Sequence, residues 1–407
     1  MLVNMTERNQ GTKLGSKRGI ISSLLVMASV VLLIAIYYTP VWWVALTAPN
    51  YPEEAFPDGV RINFHMNGVF NGCQKINKAE LSESEALDCV HEMDTINHYV
   101  GMYPIAAGGV IERAFSPFLV GLLAVMLIGF MCTRPKLRLA IVALGFSAIT
   151  VWMSMAWYGK DGLNYQNANY IYALVTSMDM DADRDVVISA DEMLRSGTKS
   201  LKKLRASIAG EEFKDDDEEV SEARTEETSE KQKNIAHLRS IFDIDQLKRS
   251  KDERQEWNGS LRQMMSWHYQ KNLGRYFNNK AEIEPMVKTM GAVADVIFFG
   301  IVAVMLLLIF GVWKGIKPLY WIMILVPMAL PLFFLIEYSA WLYWYGHTLN
   351  QMGAFTVKPF MPTVFGQGKV AQFTTHSYPA IGFFLMMAMA VLLALAAIIR
   401  RKQLNED

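Results

Sequence analysis

Six runs of apolar residues, each long enough to enter a lipid bilayer, divide this chain of 407 residues. They fall at about 19–46, 118–132, 137–157, 293–313, 319–343 and 381–399. A helix rises about 1.5 Å per residue, so roughly 20 apolar residues cross the hydrocarbon layer. No water is available there, and the backbone must satisfy its own hydrogen bonds, which selects helices. The first run is too long for a signal-peptide core and lacks a small-residue cleavage pattern, so it reads as a retained span. The second reaches full length if it begins near Ala114. The expected fold is therefore an all-α polytopic membrane protein, with six transmembrane helices arranged 3+3 about a helical, EF-hand-like extracytoplasmic insert.

The segments between the runs fix the expected orientation. The basic N-terminus (1–18, with Arg8, Lys13, Lys17 and Arg18), the turn around Arg134, Lys136 and Arg138, the turn 314–317 and the tail Arg400-Arg401-Lys402 would share one side. Lys and Arg mark the cytoplasmic side, which places both termini there, in a bacterial inner membrane. The outer loop 47–115 between spans 1 and 2 (within 19–157), the insert 158–292 and the outer loop 344–378 (within 293–399) then face the periplasm, and 400–407 is a cytoplasmic tail. Hydrophobic residues make up 52% of the chain and the net charge is −1. Nothing in that balance calls for nucleic acid; the expected surroundings are the lipid bilayer.

The insert carries the most specific motif. Asp181, Asp183, Asp185, Val187 (through its carbonyl), Ser189 and Glu192 occupy the spacing of an EF-hand calcium loop, with Glu192 as the expected bidentate ligand. Hard oxygen donors on alternate residues of a tight loop converge on one Ca²⁺. One position departs: Val186 stands where the loop normally has Gly, and φ > 0 at a β-branched residue costs about 1–2 kcal/mol. Two other readings fit the same residues, a loop that has lost its ion and a capping box formed by Ser189 and Glu192. Leu163–Met180 reads as the entering helix and Ala190 to Ile208 as the exiting one. The acidic stretch 210–234 reads as a solvated linker, and helical periodicity returns over 235–276. Asp243-Ile-Asp245 could serve only as a non-binding partner loop, since Leu247 and Arg254 replace its later ligands. Asn258-Gly-Ser260 matches a glycosylation sequon without consequence in a bacterium.

In the first outer segment, Val60–Phe64 alternates as a strand would. Cys73 and Cys89 admit two readings there, a disulfide in an oxidising compartment or two thiols serving a metal. His91, Met93, His98 and Met102 form a second candidate site. His98 and Met102 would share a helical face, and imidazole with thioether suits copper. The alternative is that these histidines hydrogen-bond a loop while Met102 packs. Pro327 and Pro331 should kink the fifth span, and Glu337 near its outer end is an ionisable candidate for function.

Four further pieces carry a resemblance. They are Thr47-Ala-Pro-Asn-Tyr-Pro52, Ile96-Asn-His-Tyr-Val-Gly-Met-Tyr-Pro-Ile105, Trp344-Tyr-Gly-His-Thr-Leu349, and Lys358-Pro-Phe-Met-Pro362 with Phe373–Gly382. Together they resemble the small polytopic membrane proteins of bacterial nitrous oxide reductase gene clusters. The resemblance covers the outer loops and their flanking helices; the insert and two additional spans depart from it. It implies an accessory role beside a periplasmic copper enzyme or its maturation proteins, with His98, Met102 and His347 as the matched positions.

The expectation is thus a non-enzymatic accessory protein with Ca²⁺ as its ion and copper as a second candidate. The alternatives are a calcium-responsive transporter or channel and a structural subunit of a respiratory complex. No c-type haem motif, Walker loop, dinucleotide fingerprint or nucleophile–base motif is present in the sequence. Calorimetry on the intact protein is expected to show calcium binding that Glu192→Gln abolishes. Absence of heat at millimolar calcium would remove the loop from the account.

Overall fold

The computed structural model describes residues 3–74, 88–179, 229–370 and 372–406. Helix α1 (Val3–Tyr38) carries the first apolar span, from Arg18 to Tyr38. It ends eight residues before Leu46, because Pro40 cannot continue a helix and Trp42–Thr47 is taken into strand β1. Helices α3 (Val110–Met131), α4 (Pro135–Trp157), α8 (Lys280–Lys314) and α11 (Ile381–Glu406) are also long and apolar enough to cross a membrane. The remaining span is broken. Helices α9 (Lys317–Met328) and α10 (Leu330–His347) meet at an angle of 61°. Counting that pair as one span, the described residues contain six.

The break follows from Pro327 and Pro331, each of which removes a backbone donor. Its position matters. Helix α9 has 12 residues, which rise about 18 Å and so stop inside a hydrocarbon layer about 30 Å thick. Pro117 inside α3 is handled differently. It leaves the Arg113 carbonyl without an N–H, and the Ser116 hydroxyl donates to that carbonyl at 2.8 Å, so α3 runs on unbroken.

The all-α expectation is corrected by a sheet. Strands β1 (Trp42–Thr47), β2 (Val60–His65), β3 (Gly68–Asn71), β4 (Gly366–Val370) and β5 (Phe373–Pro379) form one antiparallel sheet in the order β3-β2-β1-β5-β4. Strand β2 contains the alternating run read from the sequence. In the centre, Val44 faces Ser377 and Ile62 across its two edges. This pairing joins the chain emerging from α1 to the chain about to enter α11. Those two helices continue antiparallel beneath it, with the Ser22 hydroxyl donating to the Ala396 carbonyl at 3.3 Å. At the crossover the Gly382 N–H donates to the Pro40 carbonyl at 2.8 Å, and a Cβ at Gly382 would stand 2.8 Å from that oxygen.

Trp42 fastens the sheet to the bundle. Its side chain is buried, with Nε1 donating to Ser377 Oγ at 2.8 Å. Tyr338 of α10 lies 3.2 Å from the same hydroxyl, and the rings of Tyr338, Phe383 and Phe334 lie within 6 Å of Trp42. Helix α2 (Cys89–Tyr99) covers another part of the sheet, its first turn capped by the Asp88 carboxylate. Of the two cysteine readings, the structure adopts the disulfide, joining Cys73 after β3 to Cys89.

At the far end of the bundle the basic turns gather. Arg138 lies over the Tyr320 ring at 4.3 Å, Arg400 donates to the Tyr320 hydroxyl at 3.0 Å, and that hydroxyl donates to the Phe130 carbonyl at 3.1 Å. The sheet thus sits at one end and these arginines at the other.

The described part of the insert is helical: α5 (Ala168–Asp179), α6 (Glu230–Leu247) and α7 (Leu261–Gly274). The entering helix is shorter than expected, since Gly162–Tyr165 forms a separate 3-10 turn. The expected partner loop at Asp243–Asp245 is corrected: both residues lie within α6, and Asp245 is held by Lys271 at 2.7 Å, Arg249 at 2.9 Å and the Trp267 N–H at 3.0 Å. All six calcium-loop positions, the exiting helix and most of the acidic linker lie outside the described residues.

Replacing Trp42 by Ala is expected to cost about 3–5 kcal/mol of stability, read as a lower denaturant midpoint of the purified protein in detergent. Trp42→Phe keeps ring packing but loses the bond to Ser377, and should cost only about 1 kcal/mol.

Candidate functional site: a cavity under the sheet

Helices α3 and α10, the latter set at 61° to α9, both border a cavity of about 1630 Å³. Its walls are almost entirely apolar. Leu122 and Leu123 of α3, Ile301 of α8, Leu330 and Phe334 of α10, and Ile62 and Phe64 of the sheet all line it. Val326 and Phe333 also line it and are exposed, so its mouth lies along the apolar flank of the bundle. At its other end it reaches Asn50, Tyr51, His65 and Lys369, beside the sheet. Burial pushes the His65 imidazole down to about 4, so this ring is neutral at ordinary pH.

Three ionisable side chains face this space from α3 and α10: Glu112, Arg113 and Glu337. Glu112 stands in the first turn of α3, where the helix N-terminus favours an anion. Its Oε1 accepts from Trp341 Nε1 at 3.3 Å; its Oε2 is buried without a partner among the described residues. Glu337 feels the charges of Glu112 and Arg113. The Arg113 side chain is turned back onto the chain, its Nη2 donating to the Ala106 carbonyl at 2.5 Å and its Nε to the Gly109 carbonyl at 3.2 Å.

The turn that receives Arg113 is held from three sides. Tyr345 of α10 donates to the Ile105 carbonyl at 2.7 Å. A Cβ at Gly108 would stand 2.6 Å from that hydroxyl, so the close approach requires glycine. From α2, a buried Asp94 oxygen accepts the Ile105 N–H at 2.7 Å, and the other faces Arg275 at 3.5 Å. Arg275 in turn donates to the Ser177 carbonyl on α5. Burial pushes the Asp94 carboxyl up to about 7, against the Ile105 N–H and the Arg275 charge, which favour its ionised form.

Ser177, His268 and Asn272 have the residue types of a nucleophile, a base and an orienting amide. Ser177 Oγ is 2.5 Å from His268 Nε2, and Asn272 Nδ2 is 2.9 Å from His268 Nδ1. All three are buried, and the gap beside His268 has no room for a water molecule. Burial, then the charges of Arg113 and Arg275, holds the ring well below the usual imidazole range. The trio is a neutral polar contact between α5 and α7, closed to substrate.

The residues proposed for copper are spread over several environments. Helix α2 stops at Tyr99, and Gly101 takes φ +85°, so Met102 does not continue the face of His98. Met93 is buried beside Cys89 and Ile62, whereas Met102 belongs to the separate core around Tyr103 and Phe115. His91 follows the N-cap with a buried Nδ1 that has no partner among the described residues. His98 stacks on Tyr276 at 4.4 Å, and His347 on Tyr343 at 3.8 Å. Among the described residues no group of three or more His, Cys, Asp or Glu side chains is placed to hold a metal. Glu337, singled out in the sequence, lies in the cavity. Asp295 does not line it; it is bonded to Arg262 at 2.8 Å, to the Trp157 N–H at 3.1 Å and to Tyr158 at 3.1 Å.

Sequence reasoning missed Glu112, Arg113, Asp94 and Arg275. The adjacent charges at 112 and 113 were the available signal, but they sit where an apolar run conventionally begins and read as its boundary. No protein-family model, curated protein or solved structure matches the chain. The fold defines the protein as a multi-pass helical membrane protein with a small antiparallel sheet at one end of its bundle.

The Asp94 carboxyl gives a pH prediction. Its pKa is higher folded than unfolded, so the folded state binds more protons between about 4 and 7. Its stabilising contribution is therefore present at low pH and lost as pH rises through about 7. His268 acts oppositely, its contribution being lost as pH falls below its unfolded value. Comparing the stability profiles of wild type and Asp94→Asn isolates the first effect. The variant should gain relative stability as pH rises across that window; parallel profiles would show that Asp94 does not titrate there.

Proposed function

We propose that this protein binds a lipid-like amphiphile taken from the membrane, in the cavity between α3, α10 and the sheet. The observation that carries this reading is the cavity itself: about 1630 Å³, apolar, and continuous from the flank of the bundle to the underside of the sheet. Ligand pockets for small molecules usually run to about 300–1,000 Å³. A space this large with so few polar groups suits a long apolar molecule with a compact head. Transfer of such a molecule from lipid into an equally apolar cavity has little hydrophobic driving force of its own. Selectivity must then come from shape and from the polar groups Glu112, Arg113 and Glu337.

The basic residues at the opposite end of the bundle support an orientation with the sheet and the cavity's upper end in the periplasm. The protein then holds or passes its ligand at the outer leaflet. This belongs with the transporter class among the sequence expectations, with calcium binding at 181–192 as an attached regulatory element. The role beside a copper enzyme rests on the resemblance alone.

A photoreactive lipid bearing its diazirine in the acyl chain tests the reading. Crosslinks in reconstituted protein are expected on Phe334 of α10 and on Leu122 and Leu123 of α3, which line the cavity. Labelling confined to exposed outer faces, such as Leu306 and Leu307 of α8, would show that no lipid enters.

A further inference from the structure

Resting on the reading of the cavity as a lipid site, we infer that its ligand carries a protonated amine in its headgroup, and that Glu112 and Glu337 together receive it. The argument is a balance of donors and acceptors around one buried space.

Most of the strong donors described at the inner wall are already committed. Trp341 Nε1 is spent on Glu112 Oε1, and the Tyr345 hydroxyl on the carbonyls of Pro104 and Ile105. The Tyr338 hydroxyl is engaged with Ser377. Arg113 directs Nε and Nη2 to the carbonyls of Gly109 and Ala106, which leaves only Nη1 without a described bond, and it forms no ion pair with either carboxyl among the described residues.

The acceptors are left open. Glu112 Oε2 is buried without a partner, and Glu337 makes no hydrogen bond or ion pair to a described residue. A buried carboxylate without a partner is costly, and a second carboxyl beside it adds to that cost. A ligand that brings N–H donors and a positive charge relieves both. An anionic head would add repulsion, and a head without donors would leave the oxygens unpaired. The neighbouring rings of Trp341, Phe334 and Tyr338, all lining the cavity, suit the face of a cation. Lys369, on β4 at the sheet end of the same cavity, is the counter-charge available to a phosphodiester. The chemical class this describes is an aminophospholipid of the ethanolamine type.

The test compares phosphatidylethanolamine, phosphatidylcholine and phosphatidylglycerol of identical acyl chains, titrated into delipidated full-length protein in detergent and read by native mass spectrometry. Phosphatidylcholine keeps the positive charge but has no N–H, and phosphatidylglycerol has no cation. Wild type is expected to prefer phosphatidylethanolamine by about tenfold over both, a difference of about 1.4 kcal/mol. Glu112→Gln combined with Glu337→Gln should erase most of that preference while leaving chain-driven binding. Glu253→Gln, outside the cavity, should leave it unchanged. The wild-type comparison needs no variant, so a double variant that fails to fold does not block the test. Equal binding of the three lipids by wild type would overturn the amine assignment and leave the cavity reading standing. Failure of all three to bind would overturn both.

Discussion

The antiparallel pairing of Trp42–Thr47 with Phe373–Pro379 is the constraint on which the rest of the structure depends. Two backbones leave the membrane side by side, one from α1 and one about to enter α11, and each carries amide groups that need partners once the helices end. Pairing them satisfies both ladders and fixes where the two helices stand. It also builds a floor of side chains above the lipid. Trp42, Phe64 and Ser377 point from that floor toward α10, where Tyr338 and Phe334 meet them. The sheet thereby grips the upper half of a helix whose lower end is directed away by the bend.

The second organising device is the short turn Ile105–Ala107. It receives bonds from Tyr345 on α10, Asp94 on α2 and Arg113 on α3. Through Arg275 the same cluster reaches Ser177, near the end of the helix that precedes the calcium motif. Buried ionic groups are weak stabilisers when each charge is costly to desolvate. Their role here is geometric: they hold one turn at fixed distances from the sheet-side helix, the cavity wall and the insert. A shift at any of the three changes where Arg113 and Tyr345 stand.

What the sequence revealed follows physical range. Apolar runs report on the solvent around a helix, which is local information, and all six spans were legible, although the first run continues eight residues past α1 and α8 begins thirteen residues before the fourth run. The proline break was legible for the same reason. The strand at Val60 announced itself by alternation, but β1 was hidden inside an apolar run that also fits a helix. Its partner at Phe373–Pro379 lies more than 300 residues away, and no local pattern encodes that register. The copper reading failed to find a shared helical face because Gly101 ends the helix's influence before Met102. Glu337 was recognised as unusual because charge inside an apolar run is costly; its counterpart Glu112 sat at a boundary, where charge is ordinary.

The bend and the carboxylates explain one another. Glu112 of α3 and Glu337 of α10 line the same cavity. Two carboxyls and one arginine bonded to carbonyls would be costly to bury together without a further partner. Pro327 and Pro331 end α9 inside the apolar layer, and the Ala329 N–H turns back to the carbonyls of Leu325 and Val326 to close the helix. The upper helix meets Ser377 through Tyr338 and α3 through the Trp341 bond to Glu112. The space lies beside both carboxyls, and its apolar walls suit a molecule that can bring the missing donors. A chain that needed only to span the membrane would gain stability by losing both prolines and both carboxylates. Their joint presence, with the sheet fastened to hold α10 in its leaning position, fits a protein built around an occupant.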